Sequence, residues 1–248
     1  MFFTDKKWKS GCLIRNGILQ SVTNKEIWNG SFQVPDGVKE IGTSAFTGCT
    51  KLESLILPEG LEIIRRGAFR GCDHLKNIVF PDSLREIGGF AFQGCKQLEH
   101  IELPKGVISI GHGTFYGCER LKNITLSERM TVLNCSVFSG CKDLRSIYLP
   151  EGIRLIGCDA FHSCENLEDV TLPNGLLSIG EKAFMGCKRL EQVHIPASVK
   201  SIEKDAFSTC DKLTEIRWGD KLYLPLRTID GNCIYVEKRE DVSVVKGI

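Results

Sequence analysis

Hydrophobic and polar positions alternate in short runs that return along this chain every 23 residues. In the unit at residues 35–57, Leu55 and Leu57 alternate with Ser54 and Ile56, and this two-residue period predicts a strand. A fixed period in the twenties is typical of a solenoid, in which each unit packs only against its neighbours. The pattern therefore predicts a stack of similar coils, each with a strand on the same side.

Each unit opens with a turn and a second extended stretch. Pro35 and Gly37 predict a tight turn, because proline presets its own φ and glycine tolerates a positive φ. Val38 and Ile41 then predict a short extended stretch with its apolar side chains pointing inward. The same turn motif returns at residues 58–60, 104–106, 150–152 and 173–175.

A short helical segment is predicted between the two extended stretches. Ala45, Cys49 and Leu52 follow one another at spacings of four and three residues, with Phe46 beside Ala45, which favours a helix with one buried face. The predicted fold class is therefore an α/β solenoid. It is a curved array with a parallel β-sheet on one face and short helical or extended segments on the other.

Eight of the twelve cysteines mark the repeat, and we call them the ladder cysteines. They are Cys49, Cys72, Cys95, Cys118, Cys141, Cys164, Cys187 and Cys210. A phenylalanine stands three residues before each of them, and a leucine stands three residues after. The chain is thus predicted to contain eight repeats at residues 35–218.

The two ends depart from the repeat and are predicted to be caps. The N-terminal cap, at residues 1–34, holds one degenerate strand with Phe32 and Val34 in the apolar positions. The C-terminal cap, at residues 219–248, holds two alternating runs at 233–236 and 242–245. These runs predict a hairpin that closes the last coil, since an exposed sheet edge invites aggregation.

The repeat resembles the BspA-type leucine-rich repeat. The runs that carry the likeness are Leu98-Glu99-His100-Ile101-Glu102-Leu103-Pro104 and Ile179-Gly180-Glu181-Lys182-Ala183-Phe184-Met185-Gly186-Cys187. The resemblance covers roughly residues 10–218 and implies a leucine-rich-repeat solenoid. It also implies a binding role, because some proteins with this repeat are linked to adhesion at bacterial surfaces.

The ladder cysteines are predicted to be free thiols in an apolar core, where a thiol behaves as a small hydrophobic group. Equivalent residues of stacked coils lie about 4.8 Å apart, whereas a disulfide needs Cβ atoms about 3.8 Å apart. The sequence contains no Cys-x-x-Cys pair, which disfavours a zinc site.

A second column of potential ligands lies outside the ladder. His112, Cys135, Cys158 and Glu181 are also 23 residues apart, on the side predicted to face solvent. One hypothesis is a metal site, or a cross-link of two coils by the two cysteines, and the alternative is a column without function. A straight column does not converge on an ion, so no metal ligand is assigned.

Charge and motif content narrow the function classes. Thirty-two Lys and Arg against 31 Asp and Glu give no electrostatic argument for nucleic acid, and no apolar run approaches the about 18 residues of a membrane span. No catalytic or phosphate-binding motif occurs, so we expect a monomer that is not an enzyme and needs no cofactor. A cytoplasmic protein is expected as the sequence stands, or an exported or cell-surface one if a leader has been removed.

The outward residues of the predicted strands form the candidate binding surface, which we call the strand face. It consists of two columns: Ser54, Asn77, His100, Asn123, Ser146, Asp169, Gln192 and Glu215, and Ile56, Val79, Glu102, Thr125, Tyr148, Thr171, His194 and Arg217. Tyrosine and arginine are enriched at binding hot spots. The residues predicted to bind a partner are His100, Glu102, Tyr148, Asp169, His194 and Arg217.

Three functions follow from this surface and the second cysteine column. The leading hypothesis is a non-enzymatic protein–protein interaction module whose protein partner lies on the strand face. The alternative is an exported bacterial surface adhesin or glycan-binding protein. The third is a metal or redox site at Cys135 and Cys158.

Overall fold

The computed structural model describes residues 12–227 and two strands beyond them, Lys6–Lys7 and Cys233–Glu237. These described residues form a solenoid of parallel strands with nine coils. Its strands are β1 (Lys6–Lys7), β2 (Leu13–Arg15), β3 (Ile18–Ser21), β4 (Ser31–Gln33), β5 (Glu40–Ile41), β6 (Ser54–Ile56), β7 (Ile63–Ile64), β8 (Asn77–Val79), β9 (Glu86–Ile87), β10 (His100–Glu102), β11 (Ser109–Ile110), β12 (Asn123–Thr125), β13 (Val132–Leu133), β14 (Ser146–Tyr148), β15 (Leu155–Ile156), β16 (Asp169–Thr171), β17 (Ser178–Ile179), β18 (Gln192–Ile195), β19 (Ser201–Ile202), β20 (Glu215–Trp218), β21 (Lys221–Arg227) and β22 (Cys233–Glu237).

Each coil contributes one strand to each of two parallel lines. The predicted longer strand is confirmed as the line from β4 to β20, where Leu55 pairs with Ile78 one period away. The shorter strands form the second line, where Ile64 pairs with Ile87. Hydrogen-bonded pairing in the first line is interrupted between β8 and β10, between β12 and β14, and between β16 and β18.

A stack of phenylalanine rings fills the middle of the solenoid. The rings of Phe46, Phe69, Phe92, Phe115, Phe138, Phe161, Phe184 and Phe207 lie one per coil, and the first seven are completely buried. Centroids of successive rings are 4.9–5.8 Å apart, and their planes differ by 26° or less. Each coil therefore buries its largest side chain only against its neighbours, as stacked repeats require.

The predicted helical segments are wrong, because the described residues contain no helix. The segment around Phe46 is a series of turns in which Ser44 and Gly48 have φ angles of 57° and 71°. The equivalent two positions are left-handed in all eight repeats, and an α-helix does not continue through left-handed residues. The described residues thus form a β-solenoid rather than an α/β one.

Backbone hydrogen bonds between coils replace the helical ones in this segment. The Phe46 N–H donates to the Ala68 carbonyl of the next coil at 2.7 Å, and the Gly48 N–H donates to the Arg70 carbonyl at 2.8 Å. In between, the Cys49 N–H donates to the Phe46 carbonyl at 3.0 Å within the same coil. Backbone hydrogen bonds therefore join the turns of successive coils as well as their strands.

The ladder cysteines are free thiols with a second role besides filling space. The Cys72 Sγ–H donates to the Phe46 carbonyl of the preceding coil at 3.1 Å, and seven of the eight ladder thiols repeat this bond at 3.1–3.3 Å. Cys49 donates instead to the Val22 carbonyl at 3.5 Å. Burial raises the pKa of the Cys118 thiol to about 12, so these groups stay protonated donors.

Both ends of the described chain carry antiparallel strands. At the N-terminal end, β2 and β3 form a hairpin through Asn16 and Gly17, both with positive φ, and β3 pairs in parallel with β5. At the C-terminal end, β21 pairs with β20 and β22. The predicted run at 233–236 lies in β22, whereas the run at 242–245 lies outside the described residues. The boundaries of the two caps stay predictions.

Candidate protein-binding face

The strand face consists of side chains that alternate with the buried side chains of the same strands. In β6, Leu55 is 5% exposed and Ile56 is 55% exposed, and the same alternation runs through the following strands. Because the inward residues are locked in the core, the outward residues stand on an immobile backbone. All six residues predicted to bind a partner are exposed: His100, Glu102, Tyr148, Asp169, His194 and Arg217.

These six residues occur as three groups along the face rather than as one cluster. His100 and Glu102 lie on β10, and Tyr148 lies two coils further on, on β14. Asp169 lies on the neighbouring strand β16, in the other column. His194 and Arg217 are directly opposite each other on β18 and β20. The arrangement suits an extended contact more than a single small-molecule site.

Beside the strand face, oppositely charged side chains of adjacent coils form ion pairs along one border. Lys76 Nζ lies 2.7 Å from a carboxylate oxygen of Glu53, and Lys122 Nζ lies 2.7 Å from one of Glu99, each pair joining adjacent coils. The hydrogen bond from each lysine lowers the pKa of the paired glutamate. These pairs are exposed and contribute little to stability, and they balance the charge of the four residues that form them.

Charges within the strand face are less completely paired. Arg217 Nε lies 3.1 Å from Glu215 Oε1, and His100 lies 3.3 Å from the Asn123 amide nitrogen. By contrast, Glu102 and Asp169 make no ion pair with any residue of the described part of the chain. Two carboxylates on the face are therefore available to cationic groups of a partner.

Two depressions open on the strand face, each at a place where strand pairing is interrupted. The first has a volume of about 790 Å³ and spans β8 and β10, with Val79, His100 and Glu102 in its wall. The second has a volume of about 420 Å³ and spans β16 and β18, with Thr171 and His194 in its wall. Both extend past the ends of the strands to the following turns.

Sequence reasoning missed the turn residues that complete these depressions. Asp82 contributes to the first depression, and Asn174 and Asp220 contribute to the second. The signal that could have identified them is their shared position in the turn that follows each strand. Phe80 also lines the first depression, and its ring packs edge-on against the core ring of Phe92 at 5.9 Å.

The second cysteine column does not form a metal centre in the described part of the chain, where no three His, Cys, Asp or Glu side chains converge. His112 packs edge-on against the Phe90 ring, with centroids 5.0 Å apart. The Arg66 guanidinium lies over the same ring, 5.1 Å from its centroid. Cys135 is half-buried and Cys158 is exposed, unlike the buried ladder cysteines.

Family comparison gives a match over most of the chain. A model of the BspA-type leucine-rich repeat region matches residues 24–145 and 131–245, with six copies of the repeat. No curated protein matches the chain. Nothing in the described ranges forms a helix with the length and apolarity that a membrane crossing needs.

Solved structures of bacterial leucine-rich repeat proteins are similar to this solenoid. A protein from Bacteroides ovatus is 31% identical with a TM-score of 0.67, covering 77% of this chain and 57% of that one. The T. pallidum leucine-rich repeat protein is 30% identical with a TM-score of 0.64, covering 76% of this chain and 88% of that one. A protein from Eubacterium ventriosum is 24% identical with a TM-score of 0.59, covering 90% of this chain and 53% of that one. This last similarity supports a common fold and nothing further.

Proposed function

Because this chain belongs to the BspA-type leucine-rich repeat family, we propose that it is a non-enzymatic module that binds a protein partner through the strand face. The observation that carries the proposal is the pair of outward-facing columns, which run through eight successive coils of the solenoid. At about 4.8 Å per coil the face is about 40 Å long, enough for a standard protein interface. In this proposal the module acts as a monomer without a cofactor.

Tyr148 is the proposed anchor of the contact. Its ring is 52% exposed, and Thr171 is directly opposite it on the next strand. A tyrosine among small polar side chains presents a large apolar ring and a hydroxyl group that its neighbours do not cover. A partner that covers the ring therefore gains buried area and a directed hydrogen bond together.

Charged and polar groups of the strand face determine which groups the partner has to present. Glu102 and Asp169 lack ion-pair partners in the described residues, and they can pair with lysine or arginine of the partner. His194 and Arg217 stand side by side at the other end of the face. The proposed partner surface is therefore basic toward Glu102 and Asp169, and accepts hydrogen bonds beside Arg217.

A matched pair of triple variants tests the proposal. The face variant carries Tyr148→Ala, His194→Ala and Arg217→Ala. The control variant removes the same residue types from the turn side, as Tyr116→Ala, His162→Ala and Arg70→Ala. Tyr116 is 44% exposed, so the control removes a comparable exposed ring.

Proteins captured by the immobilised wild type from source-cell lysate are identified by quantitative mass spectrometry and compared between the three baits. We expect a captured protein to be retained by the control variant and lost by the face variant, with direct binding then measured on the purified pair. Loss with the control variant, or equal recovery with all three baits, would place the contact elsewhere and reject the proposal.

A surface adhesin that binds glycans is the second candidate. Tyr148 offers a ring for a sugar face, while Asp169 and Asn123 offer hydrogen-bonding groups on exposed strands. A glycan array probed with the wild type and the face variant separates this candidate from the first. Face-dependent glycan signal without a protein partner would favour the adhesin.

A further inference from the structure

Cys135 and Cys158 differ from the ladder cysteines in their exposure to solvent, which controls the access of reagents to a thiol. The ladder thiols are buried and donate their protons to backbone carbonyls. Cys135 is only half-buried and Cys158 is exposed. Reagents in solution can therefore reach this pair while the ladder stays protected.

The two cysteines stand in register on adjacent coils that are hydrogen-bonded at these very residues. The Ser136 N–H donates to the Cys158 carbonyl at 2.8 Å, and the Gly157 N–H donates to the Leu133 carbonyl at 2.8 Å. A Cβ at Gly157 would lie 2.5 Å from the Cys135 nitrogen, so the backbones touch where only glycine permits it. The coil spacing of about 4.8 Å lies within the Cα range of disulfides, about 4.4–6.8 Å.

The two side chains also differ in their surroundings. Partial burial raises the pKa of the Cys135 thiol, and the neighbouring Cys158 thiol raises it further. Cys135 is thus the protonated, protected member, and Cys158 is the member that meets solvent. This division matches an attacking cysteine and a resolving cysteine.

We propose that Cys135 and Cys158 form a reversible redox site that is oxidised by low-molecular-weight disulfides and that links two adjacent coils. The Cys158 thiolate attacks one sulfur of the reagent, whose S–S bond breaks and releases one thiol. Cys135 loses its proton and attacks the Cys158 sulfur of the mixed disulfide, which releases the second thiol. The pair has then passed two electrons and two protons to the oxidant and gained one S–S bond.

The closure is feasible at this pair and not in the ladder. Stacked Cβ atoms about 4.8 Å apart must approach by about 1 Å to reach disulfide geometry. Ladder side chains are held in a close-packed core, which resists such a shift. Cys158 is exposed and lies next to Gly157 in a surface turn, so its side chain is free to rotate toward Cys135.

Oxidised glutathione is the probe for the test. The folded protein is incubated with it, quenched in acid, unfolded, alkylated and mapped by peptide mass spectrometry. We expect a Cys135–Cys158 cross-linked peptide that dithiothreitol abolishes, with the ladder cysteines recovered as alkylated thiols. In the Cys158→Ser variant this peptide should vanish. In Cys135→Ser, glutathione should remain attached to Cys158, because no thiol resolves the mixed disulfide.

A second probe tests proximity without oxidation. Phenylarsine oxide binds tightly only where two thiols reach one arsenic atom, so the wild type should bind one equivalent that each single serine variant lacks. A stable glutathione adduct on wild-type Cys158, a bond from Cys135 to a ladder cysteine, or arsenical binding equal in all three proteins would each overturn the proposal. Neither probe depends on a binding partner, so the result is independent of the proposed protein-binding function.

Discussion

Replacing Phe138 with leucine tests whether the phenylalanine stack contributes stability coil by coil. The ring of Phe138 is completely buried, and its centroid is 5.8 Å from that of Phe115 and 5.5 Å from that of Phe161. A stacked aromatic pair contributes about 0.5–1.5 kcal/mol beyond its buried area. Loss of two pairs should therefore lower the free energy of unfolding by about 1–3 kcal/mol, in addition to the cost of the lost side-chain volume.

Phe207 is the matched control, because its ring stacks on one neighbouring ring among the described residues. That neighbour is Phe184, with centroids 5.2 Å apart, and Phe207 is only 5% exposed. Phe207→Leu removes one pair, and the loss of side-chain volume is similar at the two positions. We therefore expect Phe138→Leu to cost about 0.5–1.5 kcal/mol more than Phe207→Leu.

Urea unfolding followed by circular dichroism measures both variants against the wild type, with an unchanged slope as the condition for comparing them. An equal loss at Phe138 and Phe207, or a larger loss at Phe207, would refute the reasoning. The rings would then contribute through burial alone, and their coil-to-coil stacking would add nothing.

Three further changes test the turns, the border ion pairs and the buried thiols. Because Ser44 has a φ of 57°, Ser44→Gly should be more stable to urea than Ser44→Ala by about 1 kcal/mol, and the opposite order would contradict a fixed left-handed turn. Lys122→Met should raise the pKa of Glu99 in a carboxyl NMR titration, since the lysine now lowers it, and an unmoved pKa would exclude the pair in solution. Burial raises the pKa of the Cys49 thiol from 9.0 to about 11 in the folded protein. The stability that the protonated thiol contributes is therefore complete below the pKa of the unfolded chain, and it is lost as the pH rises through the pKa of the folded protein. The urea midpoint should fall over that pH window, and it should fall less steeply in Cys49→Ala than in the wild type. An equal pH dependence of the midpoint in both proteins would contradict a thiol pKa raised by burial.

The strands were predictable because burial on one side of a strand leaves a direct mark on the sequence. Leu55 and Leu57 alternate with Ser54 and Ile56, which is the two-residue period of a strand. The 23-residue spacing then places Leu55 opposite Ile78, as the structure has it. Exposure of the strand face follows from the same alternation. These features depend on local geometry and on the repeat, both of which are visible in one chain.

The helix prediction failed because the spacing of buried residues does not specify the backbone between them. Ala45, Cys49 and Leu52 have helical spacing, yet the chain reaches the same burial through turns with left-handed residues. Gly48 carried the missing signal, since a glycine precedes six of the eight ladder cysteines. A glycine repeated at one position in most coils indicates positive φ more strongly than spacing indicates a helix.

The depressions of the strand face could not be predicted, because the two columns are continuous in the sequence. They open where strand pairing is interrupted, and the regular spacing of the repeat gives no sign of those interruptions. Phe80, which stands where most other coils have leucine, marks the first junction. In the sequence, however, a larger side chain at one position does not indicate a depression beside it.

The thiol and ring contacts of the core have a consequence for how such a gene changes length. Every interface between the eight repeats joins the same groups, a ring to a ring and a thiol to the carbonyl of the preceding coil. Unequal recombination that gains or loses 23 codons joins two halves that already fit, whereas a number that is not a multiple of 23 puts every downstream side chain out of register. Each such event lengthens or shortens the strand face by about 4.8 Å while leaving the core chemistry unchanged.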